Sequence, residues 1–579
     1  MEKISQCAKK LIKFLESNKE YLIIIAVVLI SMPALFYPGF IYTHDGIIHL
    51  YRTAGSYLNI INLDFFNGIY YNVIDSFGYG WGIFYPVLSS IIPAIFMIFG
   101  MSLFTAEKIF MILAGVFAGV FSYKVFNEIF KNKFIALLCT IIYVLSPYKI
   151  NQSLIRGAMG EILVFTFFPL VMYGIIKILN KEYKYKYLLI VGTVGLVYSH
   201  IISTVYSAIF VALYLILNIK KVFVKKTIIN LLISLIVVLL ICLPVFIPLI
   251  KHQSSNIYKI NETIIDVSDR VVHPGQLIIS EIENKTVENT SYFSNDKEMN
   301  YMIGLTALII LLMTPFVIKK IKEKGNLLDF IKYLVLFVIT VCMMTITFFW
   351  KSFDILNVIQ YPWRILSFSV FYITILAGYI LSEVVNEKTK YAFFIFVVGF
   401  SMLFVFRINT KVLFAKTLNK DFDFYNQTLN ESTTDGDLGF SLGYAHEYLP
   451  NNINYNILKA SKKEINGIDI SVNNISYANY KNKFIYEFEN EDEGIVELPL
   501  VFYYGYDIKL NGKKVDYSLS ENGLISVNLD SIGKNQITAK WTGGKLYISS
   551  IIISFGTIIL YIIIYIIKNK KGESNERES

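Results

Sequence analysis

Cysteine is scarce in this sequence. Four occur in 579 residues: Cys7 in the N-terminal tail, and Cys139, Cys242 and Cys342 within apolar runs. The long polar stretch near the C-terminus has none, so neither a disulfide framework nor a cysteine metal site is expected there. Charge is scarce as well. Only 17% of residues are Asp, Glu, Lys or Arg against 55% hydrophobic, and the mean hydropathy is +0.53. That balance excludes an ordinary soluble globular chain. The first apolar run, Tyr21 to Pro38, lacks an A-x-A-like cleavage site and is followed by further runs, so it reads as a membrane helix rather than a signal peptide. An internal repeat is lacking and ionisable residues within the apolar runs are few. Both absences count against a transporter built from two related halves.

What the sequence has in abundance is long apolar runs. A helix of ~20 apolar residues crosses the hydrocarbon core and satisfies its own backbone hydrogen bonds there. Twelve spans are expected, at 21–38, 109–126, 134–147, 162–179, 187–199, 201–217, 228–249, 301–318, 331–350, 364–385, 391–406 and 546–567. The segment 86–100 is apolar but short, and it carries Pro86 and Pro93. The net charge of +9 sits in short basic clusters between runs, which are topology signals and not a nucleic-acid surface. Placing the N-terminal tail (Lys3, Lys9, Lys10, Lys13, Lys19) in the cytoplasm and keeping 86–100 out of the span count puts every later cluster inside. These are Lys124/Lys131/Lys133, Lys181/Lys184/Lys186, Lys220/Lys221/Lys225/Lys226, Lys319/Lys320/Lys322/Lys324 and Lys388/Lys390. If 86–100 crossed, all of them would move outside. The positive-inside rule therefore makes 86–100 an interfacial or re-entrant helix, with both termini cytoplasmic in a multi-pass plasma-membrane protein. The pieces 39–108, 148–161, 250–300 and 407–545 then face outward.

The stretch 407–545 differs in kind: it is polar, rich in Asn and Asp, and alternates at period two. Ile468 to Val472 and Phe484 to Phe488 read as strands, and Asn511-Gly512 between Ile508–Leu510 and Lys514–Val515 reads as a type I′ hairpin turn. A second turn is expected at Asn522-Gly523. The expected architecture is an α-helical polytopic membrane protein with about twelve transmembrane helices over 1–406 and 546–567. It has a long first outer loop at 39–108, an extracytoplasmic β-rich domain at 407–545 that forms a small antiparallel sandwich over 461–545, and a cytoplasmic tail at 568–579.

The residues able to carry chemistry lie in the outward pieces. Thr43-His44-Asp45-Gly46 with His49 and Arg52 places an acid, two histidines and an arginine just beyond the first span. Ionisable groups at that depth are costly and usually functional, and a carboxylate there is suited to act as general base on an acceptor hydroxyl. The competing reading is that Thr43 or Asp45 caps a helix starting near Gly46. The aromatic and glycine-rich stretch Asp75 to Pro86 reads as an interfacial belt or as a sugar- or lipid-binding wall. The loop Tyr148 to Glu161 carries Lys149, Arg156 and Glu161; a guanidinium fork matches phosphate oxygens, and an Arg–Glu ion pair is the structural alternative. Ser199-His200, Tyr361-Pro362-Trp363-Arg364 and Tyr444 to Pro450 add further polar groups on the same face.

These patches, in this order, resemble a bacterial and archaeal membrane family labelled 6-pyruvoyl-tetrahydropterin synthase-related, close to the YfhO-like membrane proteins. The resemblance rests on Thr43-His44-Asp45 with His49 and Arg52, Gly78-Tyr79-Gly80 with Phe84-Tyr85-Pro86, Arg156 to Glu161, Ser199-His200, Tyr361 to Arg364 and Glu447 to Pro450. Tyr504-Gly505-Tyr506 resembles a piece of that group's exported domain in which Trp is usual at the third position. The histidine zinc site of a soluble pterin synthase has no counterpart here. The resemblance implies a GT-C architecture and a glycosyltransferase that takes sugar from a polyprenyl-phosphate donor to an envelope acceptor (a glycan, a teichoic-acid-like polymer, a lipid or a protein). By position Asp45 is then the catalytic residue. Arg156, with Arg364 or Lys149, would hold the lipid phosphate, and His44, His49, Arg52, Glu161 and His200 would shape the pocket. No residue is assigned as a metal ligand. Use of a divalent cation stays open, since some enzymes of this type use one and others do not. A non-catalytic envelope-assembly protein and a lipid or glycan flippase are the rival classes.

Overall fold

The fold is that of a computed structural model, which describes residues 16–261, 267–280, 300–352, 359–413, 417–418, 424–425, 446–459, 464–465, 468–469, 483–490 and 493–577. The chain forms two compact units, each assembled from separated stretches. One comprises residues 1–46, 107–231 and 265–421, the other 47–106, 232–264 and 422–579.

Seven helices are long and apolar enough to cross a membrane: Leu103–Phe130, Met159–Leu179, Lys225–Gln253, Leu327–Thr345, Pro362–Val384, Lys390–Leu413 and Gly544–Ile567. Each covers one of the twelve expected runs. An eighth candidate is a pair of helices, Lys133–Val144 and Pro147–Arg156, bent by 45°. The other expected runs form shorter elements among the described residues. Tyr21 to Pro38 is a 13-residue helix, Lys19–Ser31, closed by a 3-10 turn at Pro33–Phe36. The remaining three appear as Lys186–Ser199, Ile201–Leu217, and the successive helices Leu305–Leu312 and Thr314–Glu323. The segment expected not to cross holds the 11-residue helix Leu88–Ile98. At 1.5 Å per residue that helix is ~16 Å long, too short for a core of ~30 Å.

In the first unit the helix Pro362–Val384 is central. Every residue from Leu366 to Leu381 is buried, the signature of a helix enclosed by other helices on all sides. Lys133–Val144, Leu327–Thr345 and Leu305–Leu312 pack around it. Among the described residues of this unit, Cys139 is buried and Cys342 partly so, and both are free thiols.

The second unit contains two antiparallel sheets. We label its strands β1 (Lys483–Asn490), β2 (Gly494–Val501), β3 (Tyr506–Leu510), β4 (Lys513–Lys514), β5 (Tyr517–Leu519), β6 (Leu524–Leu529) and β7 (Gly533–Trp541). One sheet runs β2-β6-β5 and the other β1-β7-β3-β4. The β3–β4 hairpin pairs Leu510 with Lys513 across Asn511 and Gly512, whose φ angles of 48° and 82° are both positive, as a type I′ turn requires. Burial alternates along β1 and β7, so each strand buries one face. The expected strand at Ile468 to Val472 is described only at Ile468–Asp469, which pairs with Glu464–Ile465; its other residues lie outside the described set.

The aromatic stretch 75–86 contributes to the core of the second unit. Phe77, Tyr79, Trp81 and Phe84 are buried because they pack within the second unit against the sheets and their connections. Val501 N–H donates to Phe77 C=O (2.8 Å). Phe84 stacks on Tyr448 at 4.9 Å, and Trp541 lies so close to Gly68 that a Cβ there would meet its ring at 2.7 Å. Burial of large rings next to a sheet dominates the energetics of such a core.

Candidate functional site

In the first unit the two most specific sequence motifs meet. Residues 43–46 run beside residues 155–157, with His44 N–H donating to Ile155 C=O (3.1 Å) and Asp45 N–H to Arg156 C=O (2.7 Å). The second strip belongs to an irregular helix: Pro147–Asn151 is α-helical, Gln152–Arg156 is a π-turn, and Gly157 ends it at φ 65°, ψ 29°. That left-handed cap suits glycine, and space demands glycine too, since a Cβ on Gly157 would sit 2.2 Å from Thr43 Oγ1. π-turns recur at functional sites because they re-aim side chains out of helical register.

Side chains from four elements converge there. Arg156 Nη2 pairs with Asp45 Oδ2 at 2.9 Å, and Arg156 Nη1 pairs with Glu161 Oε2 at 2.9 Å. Arg364, from the 3-10 turn that opens the central helix, pairs through Nε with Glu161 Oε1 at 2.9 Å. Its Nη1 donates to Gln360 Oε1 at 3.0 Å. His200 Nε2 lies 3.9 Å from Glu161 Oε1, while its Nδ1 accepts from Ser203 N–H and so caps the helix Ile201–Leu217. Gln152 donates to Glu161 Oε2 at 3.4 Å, and to the Tyr148 hydroxyl.

Burial separates the roles. The side chains of Glu161, His200, Arg156 and Arg364 are 5–8% exposed, whereas that of Asp45 is 33% exposed. Glu161 thus pairs with two buried guanidiniums and with Asp45 balances their charge, without which they would be strongly destabilising. Asp45 is the accessible acid. Among the described residues its only side-chain bond is the one through Oδ2 to Arg156, leaving Oδ1 open. The helix-capping alternative fails on the same ground: the Asp45 carboxylate turns to Arg156, and Thr43 Oγ1 has no hydrogen-bond partner. Tyr361 has the Arg364 and Arg270 guanidiniums over its ring, each 5.0 Å from the centroid. Burial raises its phenol above the ordinary range although these arginines oppose the shift, so it stays a neutral donor.

The other sequence candidates make different contacts. His44 contributes its backbone, and its side chain is exposed. Lys149 is buried with no hydrogen-bond partner for Nζ, 3.2 Å from the position a Cβ on Gly115 would take, and it pairs with neither acid of the cluster. His49 and Arg52 belong to the second unit. There Arg52 Nη1 bonds His49 Nδ1 (3.2 Å), Nη2 donates to Pro86 C=O (2.7 Å), and the guanidinium lies 4.0 Å from the Tyr85 ring centroid. That arrangement ties Arg52 to the adjoining loop. Among the described residues no group of three His, Cys, Asp or Glu side chains gathers as a metal site. Gln152 and Gln360 were not singled out from sequence; Tyr148, Gln152 and Arg156 at spacing four share a helical face, and that periodicity was the available signal.

No protein-family model matches the chain, and no curated protein matches it. Among solved structures the chain is similar to the Archaeoglobus fulgidus oligosaccharyltransferase in its apo form, with 12% sequence identity and a TM-score of 0.32 over 73% of this chain. The match spans 60% of the length of that protein.

Proposed function

We propose that this protein is a membrane glycosyltransferase of the GT-C type, moving a sugar from a polyprenyl-phosphate donor to an extracytoplasmic acceptor. The observation that carries the reading is the cluster around Asp45: one accessible carboxylate beside two buried arginines whose positions are fixed by Glu161. A sugar phosphate already has a good leaving group. What remains to be supplied is a base or orienting acceptor for the incoming hydroxyl and positive charge for the departing phosphate. Asp45 Oδ1 takes the first role. Arg156 and Arg364 take the second, and Arg364 Nη2 makes no bond among the described residues. The 39–108 loop and the β-rich region are assigned to the outer face, and the acceptor is an envelope glycan, lipid or protein. The resemblance to the 6-pyruvoyl-tetrahydropterin synthase-related and YfhO-like membrane proteins supports the same assignment through the motifs that meet at Asp45.

The test is donor cleavage. Purified protein in nanodiscs is given a panel of polyprenyl-phosphate sugars with an envelope extract as acceptor, and released lipid phosphate is measured. Release by the wild type that is lost in a folded Asp45→Asn protein supports the assignment. Absence of release across the panel favours the non-catalytic assembly role, in which the cluster acts only as an ionic clasp.

A further inference from the structure

The second unit has an open cavity of about 540 Å³ lined by Asn452, Ile453, Asn454, Tyr455, Asn456, Glu521 and Asn522. Its volume falls in the range of small-ligand sites, ~300–1,000 Å³, and four of its seven lining residues are asparagines. One wall is the segment 452–456 and the other is the β5–β6 turn. The two are locked together: Asn454 N–H donates to Asn522 C=O (3.1 Å), and Asn452 Nδ2 donates to the carbonyls of Ser520 (2.8 Å) and Glu521 (3.1 Å). Gly523, at φ +80°, is needed for the fit, since a Cβ would lie 2.8 Å from Ile453 Cα. The amides are also oriented. Asn454 Nδ2 donates to Asn522 Oδ1 (3.0 Å), and Asn522 Nδ2 donates to both oxygens of Glu497 (3.1 and 3.2 Å). Tyr455 is held by Lys259 Nζ (2.7 Å) and His446 Nδ1 (2.8 Å) at its hydroxyl.

We infer that this cavity is a binding site for a neutral, hydroxyl-rich chain, a glycan segment. Side-chain amides offer donor and acceptor at once, which matches the paired donor–acceptor character of sugar hydroxyls. Tyr455, half-buried with Lys259 Nζ 4.6 Å and the His446 ring 5.2 Å from its ring centroid, leaves the remaining part of its ring for the C–H face of a sugar. The Glu521 carboxylate in the lining disfavours an anionic polymer, while the adjacent cation, Lys259, is engaged with the Tyr455 hydroxyl and ring. Ordered, pre-aligned polar groups lower the ordering cost of binding. In the proposed reaction this site would hold the acceptor. That role rests on the transferase reading, whereas the binding itself does not.

The experiment uses the full chain in a non-glycosidic detergent, with mannotriose, cellotriose and N-acetylchitotriose as neutral probes and a glycerol-phosphate trimer as the anionic control, followed by saturation-transfer NMR. Asn456 and Glu521 make no side-chain hydrogen bond among the described residues, so Asn456→Ala and Glu521→Ala leave the walls intact. Loss of one hydrogen bond to the ligand weakens binding about fivefold. At least one neutral probe binding at millimolar concentration, weakened about fivefold by each variant and unchanged in Asp45→Asn, is the expected result. No neutral probe binding at that concentration, binding indifferent to both variants, or equal binding of the anionic trimer overturns the inference. Since no donor is present, failure of sugar transfer leaves this outcome untouched.

Discussion

Glu161→Gln is the perturbation that most clearly separates the two acids of the cluster. The wild-type carboxylate carries two ion pairs at 2.9 Å, to Arg156 and Arg364, with every partner 5–8% exposed. Neutralising it leaves two buried guanidiniums sharing the single charge of Asp45. Removing one partner from a buried pair costs about 3–5 kcal/mol, and glutamine, which keeps one acceptor oxygen, points to the lower end. Asp45 is 33% exposed and makes one pair; solvent screening brings the cost of Asp45→Asn to about 0–1 kcal/mol. In melting temperature this corresponds to a drop of roughly 4–7 °C for Glu161→Gln and at most about 1.5 °C for Asp45→Asn. A thiol-reactive dye reports unfolding through Cys139 and Cys242, both buried. Because the charges are coupled, Glu161→Gln with Arg364→Gln should regain part of the loss instead of adding to it. Equal drops for the two acid variants, or strict additivity in the double variant, would refute the clasp argument.

Other predictions follow from single contacts. Gly157→Ala should cost at least ~1–2 kcal/mol for the left-handed conformation alone, plus displacement of Thr43, and Gly157→Ala with Thr43→Ala should recover part of the melting temperature; no recovery removes the clash from the account. Lys149→Met should be neutral or stabilising by about 1–4 kcal/mol, since an unpartnered buried amine is replaced by an apolar chain of similar length; a lower melting temperature would mean the amine has a partner in the folded protein. Trp541→Ala removes a ring packed on Gly68 and donating to Tyr504 C=O at 2.9 Å. It should cost about 3–5 kcal/mol and appear as faster proteolysis within 47–106 and 483–541, whereas unchanged proteolysis would show that this packing is dispensable.

The apolar runs and the Asn511-Gly512 hairpin were legible in the sequence because both depend on local periodicity and local backbone preference. So was the pairing of Arg156 with Glu161, which are five residues apart. The convergence on Glu161 of Arg364, 203 residues away, was not, since nothing local reports which helices become neighbours. The same limit explains His49 and Arg52. They stand on the helix Gly46–Ile61, which begins where the two units divide, and their contacts within the second unit include Tyr85 and Pro86. The burial of the aromatic run 75–86 was hidden for another reason. Glycine and aromatic residues look alike at a membrane surface and against a sheet, and only the tertiary neighbours, Tyr448 and Trp541 among them, tell the two apart. The amide-lined cavity was hidden because Asn is abundant throughout this region, and sequence does not show which asparagines face each other.

The central claim is that Asp45 acts on the acceptor while the buried arginines act on the phosphate. The most direct test is the rate of sugar transfer at saturating lipid donor by the wild type and by Asp45→Asn, with donor affinity measured in parallel. The account predicts a fall of about a hundredfold or more in the rate with donor affinity unchanged. A transfer rate equal to that of the wild type would contradict it.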